Sequence, residues 1–249
     1  MVKISPDGTV SLHLTLPWPD LKTAYAQVLN QHIKTTEIKG FRKGKASATA
    51  VEQAVGKSHI YQDAFATSFS KAYTQIIRDN HLKPLMAPQV KATKAEEGQD
   101  WIIEATTAQA PQFDLGPYKQ AIAGSKKLDK LFDALLKTIN FPVSPLLVDQ
   151  EKAQALSKLL DQVNRLGLTI DQYLTSISKT SQQLQQEYAQ TATTNLRLEF
   201  ILQAITADLK ITPKPAEIDE FSAKSPQTPL RFIQAILAKR LTIDALLKL

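Results

Sequence analysis

Val10, Leu12, Leu14 and Leu16 alternate with Ser11, His13 and Thr15, the period of a strand with one buried face. Pro17-Trp18-Pro19-Asp20 ends the alternation, and the spacing then becomes helical: Leu21, Tyr25, Val28, Leu29, His32 and Ile33 fall on one stripe, with Asp20 placed to cap a helix reaching about Lys34. Ala48 to Val55 predicts a short helix closed by Gly56. Ser58 can open another, whose apolar face runs Ile60, Ala64, Phe69, Ala72, Tyr73, Ile76 and Ile77. Pro84 and Pro88 interrupt the pattern, and strands near Gln89 to Lys94 and Asp100 to Thr107 are joined by a polar turn containing Gly98. Strand, helix, loop, two helices and two strands make an α+β domain ending near Tyr118.

Beyond Lys119 the periodicity changes. Residues 120–127 are a short connector of small and basic residues, and from Leu128 onward helix dominates. Leu156, Leu159, Leu160, Val163 and Leu166 form a stripe that stops at Gly167. Leu184, Tyr188, Leu198, Ile201, Leu202, Ile205 and Leu209 mark a longer helix, and Leu230, Ile233, Leu237 and Leu241 a last one, with Pro213, Pro215, Pro226 and Pro229 between them. The expected domains are therefore 1–119, a joint at 120–127, and an all-α body at 128–249 built from long helices and short turns.

Composition narrows the class. The absence of cysteine excludes disulfides, thiol catalysis and thiolate-bound metal. The amino terminus carries no apolar stretch resembling a secretory signal, and no run approaches the roughly 18 apolar residues of a membrane span, so a cytoplasmic protein without membrane contact is expected. The net charge of +6 is divided evenly, 14 Lys/Arg against 11 Asp/Glu over residues 1–119 and 16 against 13 over 120–249. Neither half concentrates cations as a general nucleic-acid-binding domain does.

The one local concentration is Lys39-Gly40-Phe41-Arg42-Lys43-Gly44-Lys45. Gly40 and Gly44 permit a sharply bent loop, and between and beside them stand an aromatic and four cations with no acid. Such a tip suits a polyanion or an acidic protein face. Its final Gly-Lys does not make a phosphate loop: the glycine spacing is wrong, Ala46 stands where Ser or Thr is needed, and a helix precedes it where a strand is required.

Gly-Phe-Arg-x-Gly-Lys resembles the signature of the trigger factor family, the bacterial chaperones that dock beside the ribosomal exit tunnel. The similarity extends in order through Val55-Gly56-Lys57, Leu82-Lys83-Pro84, Ala87-Pro88 and Phe113-Asp114-Leu115-Gly116-Pro117-Tyr118-Lys119. Residues 141–148, 167–174 and 179–184 resemble the start, turn and arm of the family's carboxy-terminal body, with a weaker fit beyond Ile211. Typical members carry an FK506-binding-type prolyl isomerase domain of about 100 residues in between. Here only 120–127 is available for it, so isomerase activity is not expected. The family usually continues Gly-Lys-x-Pro, and this chain has Ser47 at that proline.

The resemblance implies that Phe41, Arg42 and Lys43 contact the ribosome, with Lys39 and Lys45 attracting rRNA phosphate and Gly40 and Gly44 setting the bend. It implies an ATP-independent chaperone without a cofactor. Its partners would be the large ribosomal subunit, both protein and rRNA at the tunnel exit, and nascent or unfolded polypeptides, with a homodimer as a further possibility. Two other readings stand beside it: an off-ribosome holdase or assembly factor for one dedicated partner, and an RNA-binding module, which the balanced charge disfavours. An enzyme fits least. His13, His32, His59 and His81 are scattered without a second ligand at metal-binding spacing. Glu217, Asp219 and Glu220 read as the acidic first turns of a helix.

Overall fold

The computed structural model describes residues 1–249 and divides into two compact units, one of Met1–Ile4 with Val10–Gln109, the other of Ser5–Thr9 with Ala110–Leu249. The first holds β1 (Val2–Ile4), β2 (Thr9–Leu16), α1 (Trp18–Thr35), α2 (Ala48–Val55), α3 (Lys57–Asp79), β3 (Gln89–Lys94) and β4 (Trp101–Ala108). Their sheet has the order β1-β2-β4-β3, with β1 antiparallel to β2 and β3 antiparallel to β4.

The alternation in β2 does what its period requires. Val10, Leu12, Leu14 and Leu16 are all buried and meet Ile103 and Ala105 of β4, Leu82, and Phe69 of α3 in one core. Phe65, Phe69 and Tyr73, four residues apart along α3, stack in series with ring centroids 5.7 and 5.6 Å apart. Each such side chain withdrawn from water contributes roughly 1.5–3 kcal/mol, which is how so small a sheet holds a 23-residue helix. The far edge, β3, is exposed at every position, and its Lys91 and Lys94 discourage edge-to-edge pairing.

Three local details differ from the sequence reading. Helix α1 starts at Trp18 with Pro17 at its cap, so Asp20 lies inside the first turn, where its charge faces the positive helix end. Gly56, at φ 92°, both closes α2 and opens α3, which leaves Ser58 within the helix and without a capping role. Strand β1, pairing Val2 with Leu12 and Ile4 with Val10, was not anticipated: three residues are too few to show a period.

The second unit is all helix: α4 (Tyr118–Ile122), α5 (Leu128–Thr138), α6 (Pro145–Arg165), α7 (Ile170–Ser176), α8 (Ser181–Asp208), α9 (Pro215–Lys224) and α10 (Leu230–Leu246). The short stretch expected as a connector contributes the end of α4, with Ile122 fully buried. Thr169 and Thr180 open α7 and α8 with reciprocal capping boxes to Gln172 and Gln183. Helix α6 closes on Gly167, whose N–H donates to Asn164 O while that of Leu168 donates to Val163 O, a Schellman motif. The buried faces of α5, α8 and α10 present Leu131 and Leu135, Ile201, Leu202 and Ile205, and Ile233 and Leu246. A satellite cluster of Leu159, Val163 and Leu184, flanked by Tyr173 and Tyr188, ties α6, α7 and the start of α8 together.

Candidate functional site

The basic loop begins where α1 runs out. Thr36 turns extended, at φ −82° and ψ 134°, while its N–H still reaches His32 O. Two tight turns follow, closed by Phe41 N–H to Ile38 O at 3.0 Å and Lys45 N–H to Arg42 O at 2.9 Å. Each places a glycine third, Gly40 at φ 89° and Gly44 at φ 81°, the position at which a type II turn needs positive φ. A Cβ on either glycine would meet nothing within 4 Å, so the demand for glycine is conformational and not one of space.

The two turns leave their contents outside. Phe41 is 47% exposed, and Lys39, Arg42, Lys43 and Lys45 are exposed with no carboxylate within ion-pair distance. From Ile38 to Val51 there is no acidic residue. The structure therefore brings all of the expected residues together: an apolar ring at the tip, the Arg42 fork beside it, and three point charges around them. Unpaired exposed cations of this kind act over about a Debye length, roughly 8–10 Å at physiological salt. Ser47, which departs from the expected proline, caps α2 by accepting the N–H of Ala50 at 3.2 Å. Its place directly before a helical run was the signal for this cap.

The stems of the loop are tied to the helices beneath. Tyr25 of α1 donates its hydroxyl to Glu52 of α2 at 2.6 Å, and the Tyr25 ring packs at a tilt of 41° against Tyr61 of α3 with centroids 4.4 Å apart. Burial, then the Glu52 carboxylate, push the Tyr25 phenol above its ordinary range. Tyr61 is raised in the same way, by burial and then by the neighbouring Glu97 carboxylate. Glu97 in turn is held below the usual carboxylate range, first by the bond it accepts from Lys57 and then by the neighbouring Tyr61 phenol. His32 and His59, scattered in sequence, converge on Asp63, with ring nitrogens 3.1 and 3.9 Å from the same carboxylate oxygen. No three His, Asp or Glu side chains gather closely enough to hold a metal ion. Sequence reasoning missed most of these ties because Glu52, Asp63 and Glu97 meet Tyr25, His32 and Lys57 across 27, 31 and 40 residues of chain.

In the second unit a concavity of about 950 Å³ lies between residues 112–120 and Ala204 and Asp208 of α8. Tyr118 donates to Asp208 there at 2.7 Å, with Lys119 at 3.7 Å from the same carboxylate oxygen. This bond ties the start of α4 to the end of α8. Glu217 accepts the N–H of Lys214 and Glu220 pairs with Lys224, which accounts for two acids of the cluster at the start of α9. Large apolar side chains stand exposed on this unit, among them Leu166 at 73%, Leu230, Phe232 and Ile236. No helix of the chain is long and apolar enough to cross a membrane.

The family model of the bacterial trigger factor protein matches residues 2–137, and that of the trigger factor C-terminus matches residues 118–236. The two overlap, so no middle isomerase domain lies between them. A trigger factor of Staphylococcus epidermidis is 32% identical over 135 residues, 54% of this chain and 31% of that one. One from Staphylococcus aureus is 31% identical over 153 residues, 61% and 35% respectively. The aligned part thus spans about a third of the length of these relatives. A solved structure from work on promiscuous substrate recognition in folding and assembly by the trigger factor chaperone superposes with a TM-score of 0.70. That match covers 100% of this chain and 99% of the other at 9% identity, a likeness of fold. By both family models, the chain belongs to the trigger factor family.

Proposed function

We propose that this chain is an ATP-independent chaperone that docks beside the exit tunnel of the large ribosomal subunit and shelters nascent or unfolded polypeptides. The observation that carries the reading is the exposed tip of Phe41, Arg42 and Lys43, free of internal ion pairs and displayed by two glycine turns. Phe41 is the apolar anchor, Arg42 a fork for carboxylate or phosphate, and Lys39, Lys43 and Lys45 attract the anionic surface of protein and rRNA around the tunnel. In this reading residues 1–119 dock, 120–127 join, and 128–249 hold clients, in a cytoplasmic setting. Release needs no nucleotide: many weak apolar contacts are lost as the client buries its own core. The passage from one family domain to the next without an intervening segment supports a chaperone with no isomerase activity.

The test is cosedimentation with large subunits at fixed moderate salt. Replacing Phe41, Arg42 and Lys43 together by Ala is expected to abolish binding while circular dichroism and thermal stability hold, since exposed substitutions usually cost under about 0.5 kcal/mol each. Undiminished binding by the triple variant overturns the docking assignment. A second reading, an off-ribosome assembly factor, draws on the folding and assembly activities described for the solved relative. It is favoured if the wild-type chain does not cosediment and one protein copurifies in fixed proportion.

A further inference from the structure

Helix α2 is the only element between the basic loop and α3, and it is poorly anchored for its task. It has eight residues, too few to be stable alone, and a single buried side chain, Val51. Val51, with Ala50 and Val55 only half-buried beside it and the helix end joined to α3 through Gly56, resists withdrawal of the helix, but a two-turn helix hinged on a glycine can still rotate about that anchor. The loop that precedes it, residues 36–47, closes its turns on its own backbone, so its path depends on where its two ends are fixed. On the α1 side the end is fixed by the helix itself and by His32, which meets Asp63 of α3 at 3.1 Å. On the α2 side one polar tie to the frame is present, the 2.6 Å bond from the Tyr25 hydroxyl to Glu52, next in sequence to Val51. The Tyr25 ring lies against Tyr61, and the Lys57 ammonium, paired with Glu97, stands 5.8 Å from the centre of the Tyr61 ring.

We infer that the Tyr25–Glu52 bond is a clasp that fixes the seating of α2 and thereby the presentation of Phe41, Arg42 and Lys43. Both are positioning residues for docking, acting through the loop without touching its partner. The inference rests on the docking reading above. A second anchor beside Val51 removes the rotation that one anchor permits, and so narrows the range of loop geometries that compete with the binding-competent one. A loop competent for only part of the time binds with its affinity reduced by that fraction.

The test uses the full chain with Tyr25→Phe, Glu52→Ala, Glu52→Gln and the pair Tyr25→Phe/Glu52→Ala. Large-subunit affinity is read at fixed salt and amide exchange in the free protein. Tyr25→Phe and Glu52→Ala are each expected to weaken binding about three- to tenfold, the scale of one hydrogen bond. The pair should be no weaker than either alone, because both remove the same bond. Glu52→Gln, which can still accept the phenolic proton, should retain most of the affinity. Exchange should quicken over residues 36–55 and stay unchanged in α3 and the sheet, which a merely structural role would not produce. Wild-type affinity in Tyr25→Phe and Glu52→Ala, with the Phe41/Arg42/Lys43 triple variant inactive, overturns the clasp and leaves docking standing. If the triple variant binds undiminished, docking itself fails; the clasp is then judged by exchange alone, and unchanged rates in the loop of Tyr25→Phe overturn it. Faster exchange spread through α3 and the sheet also overturns it, as the sign of a general stabilising bond.

Discussion

Tyrosine is the residue whose ionisation this fold most consistently opposes. Tyr25 bonds to Glu52 and Tyr118 to Asp208, both phenols are withdrawn from water, and burial together with the facing carboxylate raises each above its ordinary value near 10. Tyr61 and Tyr73 move in the same direction, burial leading in both. A pKa raised in the folded state means that the native protein keeps protons the unfolded chain has already given up. The resulting stability is complete below about pH 10 and is lost as pH rises through the folded values. Denaturant unfolding followed from pH 8 to 11.5 is therefore expected to show stability falling from about pH 10, with a shallower fall in Tyr25→Phe and Tyr118→Phe. A wild-type curve flat to pH 11.5 contradicts the assignment.

Among the elements, α5 shows how a helix end can be finished from a distance. Its last carbonyls have no partner within the helix. Arg197, one face of α8, supplies them: Nη2 donates to Leu136 O at 2.9 Å and Ile139 O at 2.8 Å, and the guanidinium stands over the ring of Phe141, which itself stacks on Phe113 at 3.9 Å. A cation here also meets the negative end of the helix dipole. Replacing Arg197 by Ala is expected to cost about 2–4 kcal/mol in urea unfolding, the loss of two charge-assisted bonds and the exposure of unpaired carbonyls. Lys should recover only part, having no fork with which to serve two acceptors. A cost under about 0.5 kcal/mol, the level of an ordinary surface change, contradicts this role.

The same elements show what a single sequence carries. Periodicity and punctuation located β2, both central helices of the first unit, the hairpin of β3 and β4, and the long helices of the second, because each repeats its signal over several turns or pleats. The candidate loop was legible for the same reason, its glycines and charges being contiguous. What was hidden depends on chain folding: β1 is identified by its partner Leu12 more than by its own three residues, and Arg197, Glu52 and Asp63 find their partners 58, 27 and 31 residues away. Caps shifted by three positions at Asp20 and two at Ser58, because prolines and Gly56 decide helix starts more strongly than a nearby side-chain oxygen.

For the molecule as a whole, the proposed division of labour predicts where holding activity resides. The sheet unit commits its periodic apolar stripes to its own core, the stripe of β2 being buried to the last leucine with the apolar face of α3 packed on it, while Ile4, Phe41, Leu85, Val90 and Ile102 stay exposed. The helical unit keeps large apolar side chains in water, Leu166 at 73% exposure, Leu230 at 55%, Phe232 at 50% and Ile236 at 47%. With methionine scarce, such leucine, isoleucine and phenylalanine contacts are the means by which this chain can meet an unfolded segment. Replacing Leu166, Leu230, Phe232 and Ile236 together by Ser in the full chain should leave the fold intact, since none lies in a core. It should also weaken suppression of aggregation of a diluted client, read by light scattering, while large-subunit cosedimentation is unchanged. The complementary triple substitution at Phe41, Arg42 and Lys43 should do the reverse, abolishing cosedimentation and sparing suppression. If the serine variant suppresses aggregation as well as the wild type, clients are held elsewhere. If the loop variant loses both activities, docking and holding share one surface and the division between units fails.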